Sequence, residues 1–564
     1  MTYRKKIICS IGFLFLLSVL IMLRIILSKG YISLAVDDTF TYVSWAWQFI
    51  EAIKQGNIYP RWTPINFWGY GSPTFILYPP LAFYFTAFFN IFTDSLIDAM
   101  SLTKFMSFFL SSMGIFYLLR ENYSIKIALF SASIYIIFPH NVNTFYATFS
   151  SAVSFMWFSP ILLFAYRYFK GGEYKYLFFS GVCYGGLILT HLINAYMFTF
   201  VIIGFGICMS ITKKRVKDIN SALIILIIGI LISSAYILPL LYEKQFLNLH
   251  AFTGKESGFN YSEYFILPNL SSLSPVNHFW FVFYDEIVFT VSLICIFIVI
   301  SFINMLKMRS IRGIKNIKIF NIFMLLVACY CLFLLFGAST FIWEGIPYFR
   351  FIQFPIRWLN ILTFSVACLS ANWLYMIKNI YVKGGILPYM AIIFTIFFTC
   401  IIFDFRYIYN APIIKEKDLI PVKDINWTME HLPKSVNLNE IDKQNRPYRN
   451  IEMYVGNGKA DIVKWDSHER VISITDSRSL TLRIRSFNFP GWKALINGMQ
   501  AEIRTDVSNG AMLIDIPDGE NILKLNFVDT PIRYYSKYIS LLSFALFSFI
   551  LLIKRGNMNS NVRE

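Results

Sequence analysis

Two adjacent carboxylates, Asp37 and Asp38, stand just past the first long apolar run and open an amphipathic stretch that continues through Tyr42 to Ile53. Side by side they repel each other, so at least one keeps a hydrogen-bond or cationic partner, or a raised pKa. A carboxylate so placed can take the proton of an attacking hydroxyl. The competing reading is that Asp37 caps the following helix and Asp38 favours its N-terminal dipole; spacing alone leaves both open. Arg357, just after Pro355, offers a planar set of donors to a phosphate, or else snorkels to lipid headgroups. Arg61 either shares the phosphate role or forms a surface salt bridge. His191, with Asn194 close by, faces an acceptor or packs between helices. Asp285 and Glu286 line a site or form a solvated helix start, and Glu344 is a weaker case of the same kind.

Elements that can position such residues must be membrane-bound. The 564 residues are 56% hydrophobic and 15% charged, with mean hydropathy +0.56 and 58 Phe, far too little charge for a soluble chain. Apolar stretches long enough for a ~30 Å hydrocarbon layer recur. The net charge of +17 sits in short loops: Arg4 to Lys6, Lys170 to Lys175, Lys213 to Lys217, Lys307 to Lys318, Lys378 to Lys383, and Lys554-Arg555. That is the signature of cytoplasmic loops, and no basic face with stacking aromatics points to nucleic acid. All 8 Cys lie in apolar segments, which excludes a disulfide framework and a Cys-based metal site. The 6 His show no metal-ligand spacing, so no cofactor is implied and a divalent metal has no support.

Charge parity predicts both termini in the cytoplasm and a plasma-membrane protein of about twelve spans. They fall near 7–27, 99–119, 125–140, 148–168, 176–192, 195–212, 220–242, 284–306, 319–338, 355–376, 385–404 and 535–553. The apolar run Tyr78 to Phe92 then has no crossing to make, since crossing would flip every later basic loop; it reads as interfacial or re-entrant. Residues 28–98, 243–283 and 405–534 are expected outside. The last of these turns charged and polar, with alternating runs at 471–475, 480–484 and 511–515 and turns at Asn497-Gly498, Asn509-Gly510 and Asp518-Gly519. An antiparallel β-sandwich is expected there. Trp492 is either an exposed sugar-stacking ring or part of its core.

The first loop also carries Gly56 to Trp62 (G-x-x-Y-P-R-W), Gly69 to Pro73 (G-Y-G-x-P) and Tyr78 to Leu81 (Y-P-P-L); Ile352 to Trp358 contains Q-F-P-x-R. Together these resemble the signature of a bacterial and archaeal membrane family named for a 6-pyruvoyl-tetrahydropterin-synthase-related domain, over most of residues 30–375. The layout is also similar to GT-C glycosyltransferases, and the 489–519 stretch to the external module of YfhO-like proteins. The resemblance implies an acid in the first loop, here Asp38 or Asp37, that activates or orients an acceptor, and a polyprenyl-phosphate-linked sugar as donor. It makes Gln353 and Arg357 substrate-binding candidates and sets Tyr42 where relatives often carry His. A second acid is expected after the fourth span, yet His140 to Thr148 holds none. The expected activity is transfer of a sugar to a lipid-linked or envelope glycan, in contact with membrane lipids. The rival is a non-catalytic membrane protein, a transporter or assembly factor; no broken helices or internal repeats of a transporter are legible.

Overall fold

The computed structural model describes residues 2–28, 30–32, 36–249, 261–266, 278–307, 315–377, 399, 402, 413–415, 425, 428–436 and 449–560. Its helices, in chain order, are α1 (Tyr3–Ser28), α2 (Val36–Lys54), α3 (Thr74–Leu77), α4 (Leu81–Asn90), α5 (Leu96–Arg120) and α6 (Ile125–Ile137). Then come α7 (Pro139–Ala147), α8 (Ser150–Gly171), α9 (Tyr174–Thr190), α10 (Leu192–Lys213), α11 (Lys217–Ile232) and α12 (Ser234–Glu243). Beyond these lie α13 (His278–Lys307), α14 (Lys315–Phe333), α15 (Thr340–Gly345), α16 (Leu359–Met376) and α17 (Pro531–Ser560).

Among the described residues, 6 helices are long and apolar enough to cross a membrane: Tyr3–Ile25, Leu96–Arg120, Ser150–Gly171, Leu192–Lys213, Ile287–Lys307 and Pro355–Met376. Three bent helix pairs raise that to 9 if each makes one span. Of the other expected spans, 176–192 coincides with the 17-residue α9 and 535–553 falls within α17, whereas 385–404, apart from residues 399 and 402, lies outside the described residues. The run expected not to cross becomes α4, only 10 residues long. At ~1.5 Å per residue it is about half as long as the hydrocarbon layer is thick.

The bends correct the expectation of unbroken helices. Pro139, without an N–H, separates α6 from α7 at 49°, and Phe138 before it is extended at ψ 125°. The 81° break between α11 and α12 has no proline. Ser233 and Ser234 turn their hydroxyls onto the carbonyls of Gly229 and Leu231, each at 2.8 Å, competing with the helical ladder. A third pair, 317–333 with 337–345, bends by 100°.

The strands are β1 (Gly30–Ile32), β2 (Ile413–Lys415), β3 (Ile451–Trp465), β4 (Glu469–Phe487), β5 (Trp492–Ile496), β6 (Met499–Ala501), β7 (Arg504–Thr505), β8 (Ala511–Ile516) and β9 (Gly519–Phe527). β1 and β2 pair with each other, and the remaining strands make one seven-stranded antiparallel sheet. Positive φ at Asp476 and Ser479 kinks β4, so its first half pairs with β9 and its second with β8, while β3 takes the opposite edge. Asn497 and Gly498, at φ 50° and 83°, form the tight turn between β5 and β6 that their types demand.

A sandwich was expected, but the described strands make one sheet, covered on its apolar face by the first loop. Trp62, Phe67, Tyr70 and Ile76 share a buried core with Ile472, Leu482, Phe487 and Leu525. Tyr70 stacks on Phe487 with ring centroids 4.9 Å apart, and its carbonyl accepts from the Phe487 N–H at 3.0 Å. Gly71 has φ +75°, and a Cβ there would lie 2.4 Å from the Trp62 indole nitrogen. Gly71 thus lets the loop close on its own Trp62, the ring that fills the core under the sheet. Trp492 is buried as well, 7% exposed and 5.5 Å edge-on to Trp62, which removes it as a sugar platform.

Candidate functional site

α2 starts before both aspartates, so Asp37 and Asp38 lie in its first turn, where the helix dipole favours negative charge. Asp38 is exposed. One turn on, Tyr42 is half-buried against Phe149 and Trp45 and accepts a hydrogen bond from the Tyr78 hydroxyl at 3.2 Å. Burial, first, and the neighbouring Tyr78 and Asp38 push the Tyr42 phenol well above its ordinary value, against the pull of Arg357. Tyr42 is therefore a neutral hydrogen-bonding group, not a phenolate.

Arg357 comes from the 3₁₀ turn Pro355–Trp358 that leads into α16. The turn is held in a strained approach: Gln353 has φ +62° and ψ −52°, a region side-chain-bearing residues seldom adopt. The strain aims the Gln353 amide oxygen back to accept from Arg357 Nη1 at 3.2 Å, while the Ile352 carbonyl accepts from the same nitrogen at 2.8 Å. The half-buried guanidinium also lies 4.9 Å from the Phe354 ring centroid. Among the described residues no carboxylate lies within 4.0 Å of it, and its Nε and Nη2 make no protein hydrogen bond. The Asp38 carboxylate acts on it from a greater distance, and its own charge reaches His191.

Of the residues singled out in the sequence, Asp38, Tyr42, Gln353, Arg357 and His191 thus come together, and Tyr78 joins them from the Y-P-P turn. Arg61 does not. It is 2% exposed, 4.1 Å over the Tyr59 ring, bonded to the Ala235 carbonyl at 3.3 Å and 3.6 Å from Asp529. That makes it an internal tie between the loop, α12 and the start of α17, in place of a surface salt bridge. Asp37 lies in α2, and Asp285 and Glu286 in the second and third turns of α13; their side chains lie outside the described residues. Glu344 accepts from the Tyr261 hydroxyl at 3.4 Å, away from this group.

His431 and Glu430 carried no sequence signal. His431 lies 5.0 Å from the Trp45 ring, fully enclosed, with Nδ1 unbonded and Nε2 3.8 Å from Glu430. Burial pushes Glu430 up to about 7 and His431 down to about 3. Glu430 stability is present below its ordinary 4.5 and lost as pH rises through 7; His431 stability is present above 6.5 and lost as pH falls through 3. The two slopes cancel between 4.5 and 6.5. Melting midpoints of the purified protein are expected to show a flat contribution across that window, whereas Glu430→Gln keeps the His431 slope and gains stability relative to the parent from 4.5 up to about 7. Parallel profiles for parent and variant would contradict this.

Among the described residues no group of three or more His, Cys, Asp or Glu can hold a metal ion. Fold and site together describe a membrane protein of many helices in which a loop with an acidic start, a tyrosine pair and a tethered arginine meet. By its family model the chain belongs to the 6-pyruvoyl-tetrahydropterin synthase related domain family of membrane proteins, matched over residues 75–410. Among curated proteins, none matches the sequence. The structure is similar to that of the archaeal oligosaccharyltransferase AglB from Archaeoglobus fulgidus in complex with an inhibitory peptide and a dolichol-phosphate. That likeness has 14% identity, TM-score 0.48, and covers 73% of this chain and 57% of that one. The apo oligosaccharyltransferase of the same organism is similar at 12% identity and TM-score 0.42, over 79% of this chain and 59% of the other. The chain spans less than two thirds of either neighbour's length.

Proposed function

We propose that the protein is a GT-C-like glycosyltransferase that moves a sugar from a polyprenyl-phosphate donor to a lipid-linked or cell-envelope glycan at the outer face of the plasma membrane. The observation that carries this is the Arg357 guanidinium: half-buried, oriented by Gln353, with Nε and Nη2 making no hydrogen bond among the described residues. The basic loops, which favour the cytoplasm, support an outward-facing site. In the reaction the acceptor oxygen attacks the anomeric carbon, and the bond from that carbon to the donor's phosphate oxygen breaks. The bonding pair leaves on the phosphate, where Arg357 offsets the charge. Asp38 receives the acceptor's proton, and Tyr42 and Tyr78, kept neutral, orient hydroxyls.

A second reading, transport of a lipid or polysaccharide, draws on the three bent helix pairs. Envelope glycans of a deletion strain, complemented with the parent or with Asp38→Asn, separate the two. Loss of one sugar from a glycan, restored by the parent and at least tenfold less by Asp38→Asn, is expected. A glycan intact in composition but accumulated on the inner side would replace the enzyme with a transporter.

A further inference from the structure

Arg470 stands in the core-facing row of β4, with Ile472 and Ile474, and is completely buried. Its cross-strand partners are Trp465 on β3 and Leu525 on β9, and Trp492 comes from β5, beyond β9. The guanidinium carbon lies 4.4 Å from the Trp465 ring centroid and 4.7 Å from that of Trp492. The rings answer part of the charge but none of the hydrogen bonds. Among the described residues Nε, Nη1 and Nη2 of Arg470 have no partner, and neither has the Trp492 indole nitrogen. Burial pulls the guanidinium down to about 9, which leaves it charged at neutral pH.

Arg533 is the contrast. It is just as buried and lies 4.8 Å from the ring of Phe527, itself 5.2 Å from Trp492. Its guanidinium is fully engaged by the Glu243 carboxylate and the Val528 and Pro490 carbonyls. One end of the sheet core thus holds two buried guanidiniums, one paired and one presenting its whole fork of donors to apolar walls. A buried charge is kept where an acceptor completes it.

The acceptor's chemistry is narrow, because Arg470 and the Trp492 indole offer donors only. A carboxylate is planar and takes two parallel N–H···O bonds in the plane of the guanidinium, which suits a group lying against indole rings. Trp465, half-buried at the end of β3, is the wall nearest solvent, so entry requires its ring to turn aside. The turn that follows it is tied to the first loop: Gln55 Oε1 accepts from the Ser467 N–H at 2.9 Å and from its hydroxyl at 2.7 Å. We propose that Arg470, between the Trp465 and Trp492 rings, binds the carboxylate of an acidic sugar in the acceptor glycan. The inference rests on the proposed function only in taking that carboxylate from a glycan. α2, 19 residues and so about 28 Å long, separates this turn from Asp38 at its other end. The acidic sugar is therefore a unit distant from the reacting one, and the site selects the acceptor without touching the chemistry.

Calorimetric titration of the full chain in zwitterionic nanodiscs with trigalacturonate, neutral galactotriose and triglutamate tests this. Trigalacturonate is expected to bind at least tenfold more tightly than galactotriose, and triglutamate more weakly than trigalacturonate. Arg470→Met is expected to cost about tenfold in affinity for trigalacturonate and nothing for galactotriose, the size of one charge-assisted pair. Should Arg470→Met fail to fold, Trp465→Leu must show the same selective loss. Equal binding of the acidic and neutral sugars overturns the site, as does a folded variant that changes the melting midpoint but keeps the preference, which would make Arg470 a strut of the sheet. Triglutamate binding as tightly as trigalacturonate would replace the glycan with an acidic protein partner. Acid preference without any sugar transfer would keep the site and discard the glycosyltransferase reading; transfer without acid preference would do the reverse.

Discussion

Arg357→Gln is expected to lower sugar transfer by roughly 10²–10³-fold, the cost of removing one preorganised donor aimed at developing charge. Glutamine keeps a hydrogen-bonding end but loses the cation and the two free donors. The protein should remain folded, because Arg357 has no ion pair with the described residues to break and bonds only the Ile352 carbonyl and the Gln353 amide. Arg357→Lys should recover part of the rate, since an ammonium supplies charge without the planar fork. The check is initial rates with membranes that contain equal amounts of each variant. A rate within a few-fold of the parent would remove Arg357 from the chemistry, and with it the reading that depends on it.

Glu243→Gln is expected to destabilise the protein by about 3–5 kcal/mol, the usual cost of stripping the partner from a buried ion. Arg533 and Glu243 are both almost fully buried; Nε of Arg533 meets the two carboxylate oxygens at 2.8 and 3.0 Å. Thr530 adds a bond to the same carboxylate at 2.8 Å, and Arg533 Nη2 donates to the Pro490 carbonyl at 2.7 Å. Glu243 ends α12 and Arg533 starts α17, just after the last strand. The pair therefore fastens the sheet to the helices, next to the Arg61–Asp529 tie. Loss should appear as a lower melting midpoint and as new proteolysis in the 528–533 connection. The double variant Glu243→Leu with Arg533→Met should regain much of the loss, because no charge is then left unpaired. A single variant as stable as the parent would show that the pair is not what joins the two parts.

The membrane character, the long apolar helices and the strand-rich region near residue 500 were legible from amino-acid order because they depend on local pattern. Hydropathy over about 20 residues marks spans, and period-two alternation marks strands. The same is true of the non-crossing run: Pro79-Pro80 precede α4, which is only ten residues long, too short to cross, as charge parity expected. What stayed hidden were features set by neighbours distant in sequence. The serine break at Ser233 and Ser234 has no proline to announce it. The single curled sheet reads like half of a sandwich, because alternation reports a buried face but not what buries it. The missing cover was the first loop, some 400 residues away in sequence, with Trp62 and Tyr70 filling the core.

The candidate site divides along the same line. Asp38, Tyr42, Gln353, Arg357 and His191 were readable as polar or charged types at the ends of apolar runs, where such residues are costly to keep. Their common location was not readable, nor was the removal of Arg61 to a structural tie. Residue types and hydropathy are properties of each segment alone, so amino-acid order determined the elements and the pool of candidates. Which candidates face one another depends on helix rotation, on the strained turn at Gln353 and on the joined side chains of His140, Asn194 and Asn360. Those are consequences of packing between segments more than 300 residues apart, as Asp38 and Arg357 are, and only the tertiary structure decided them.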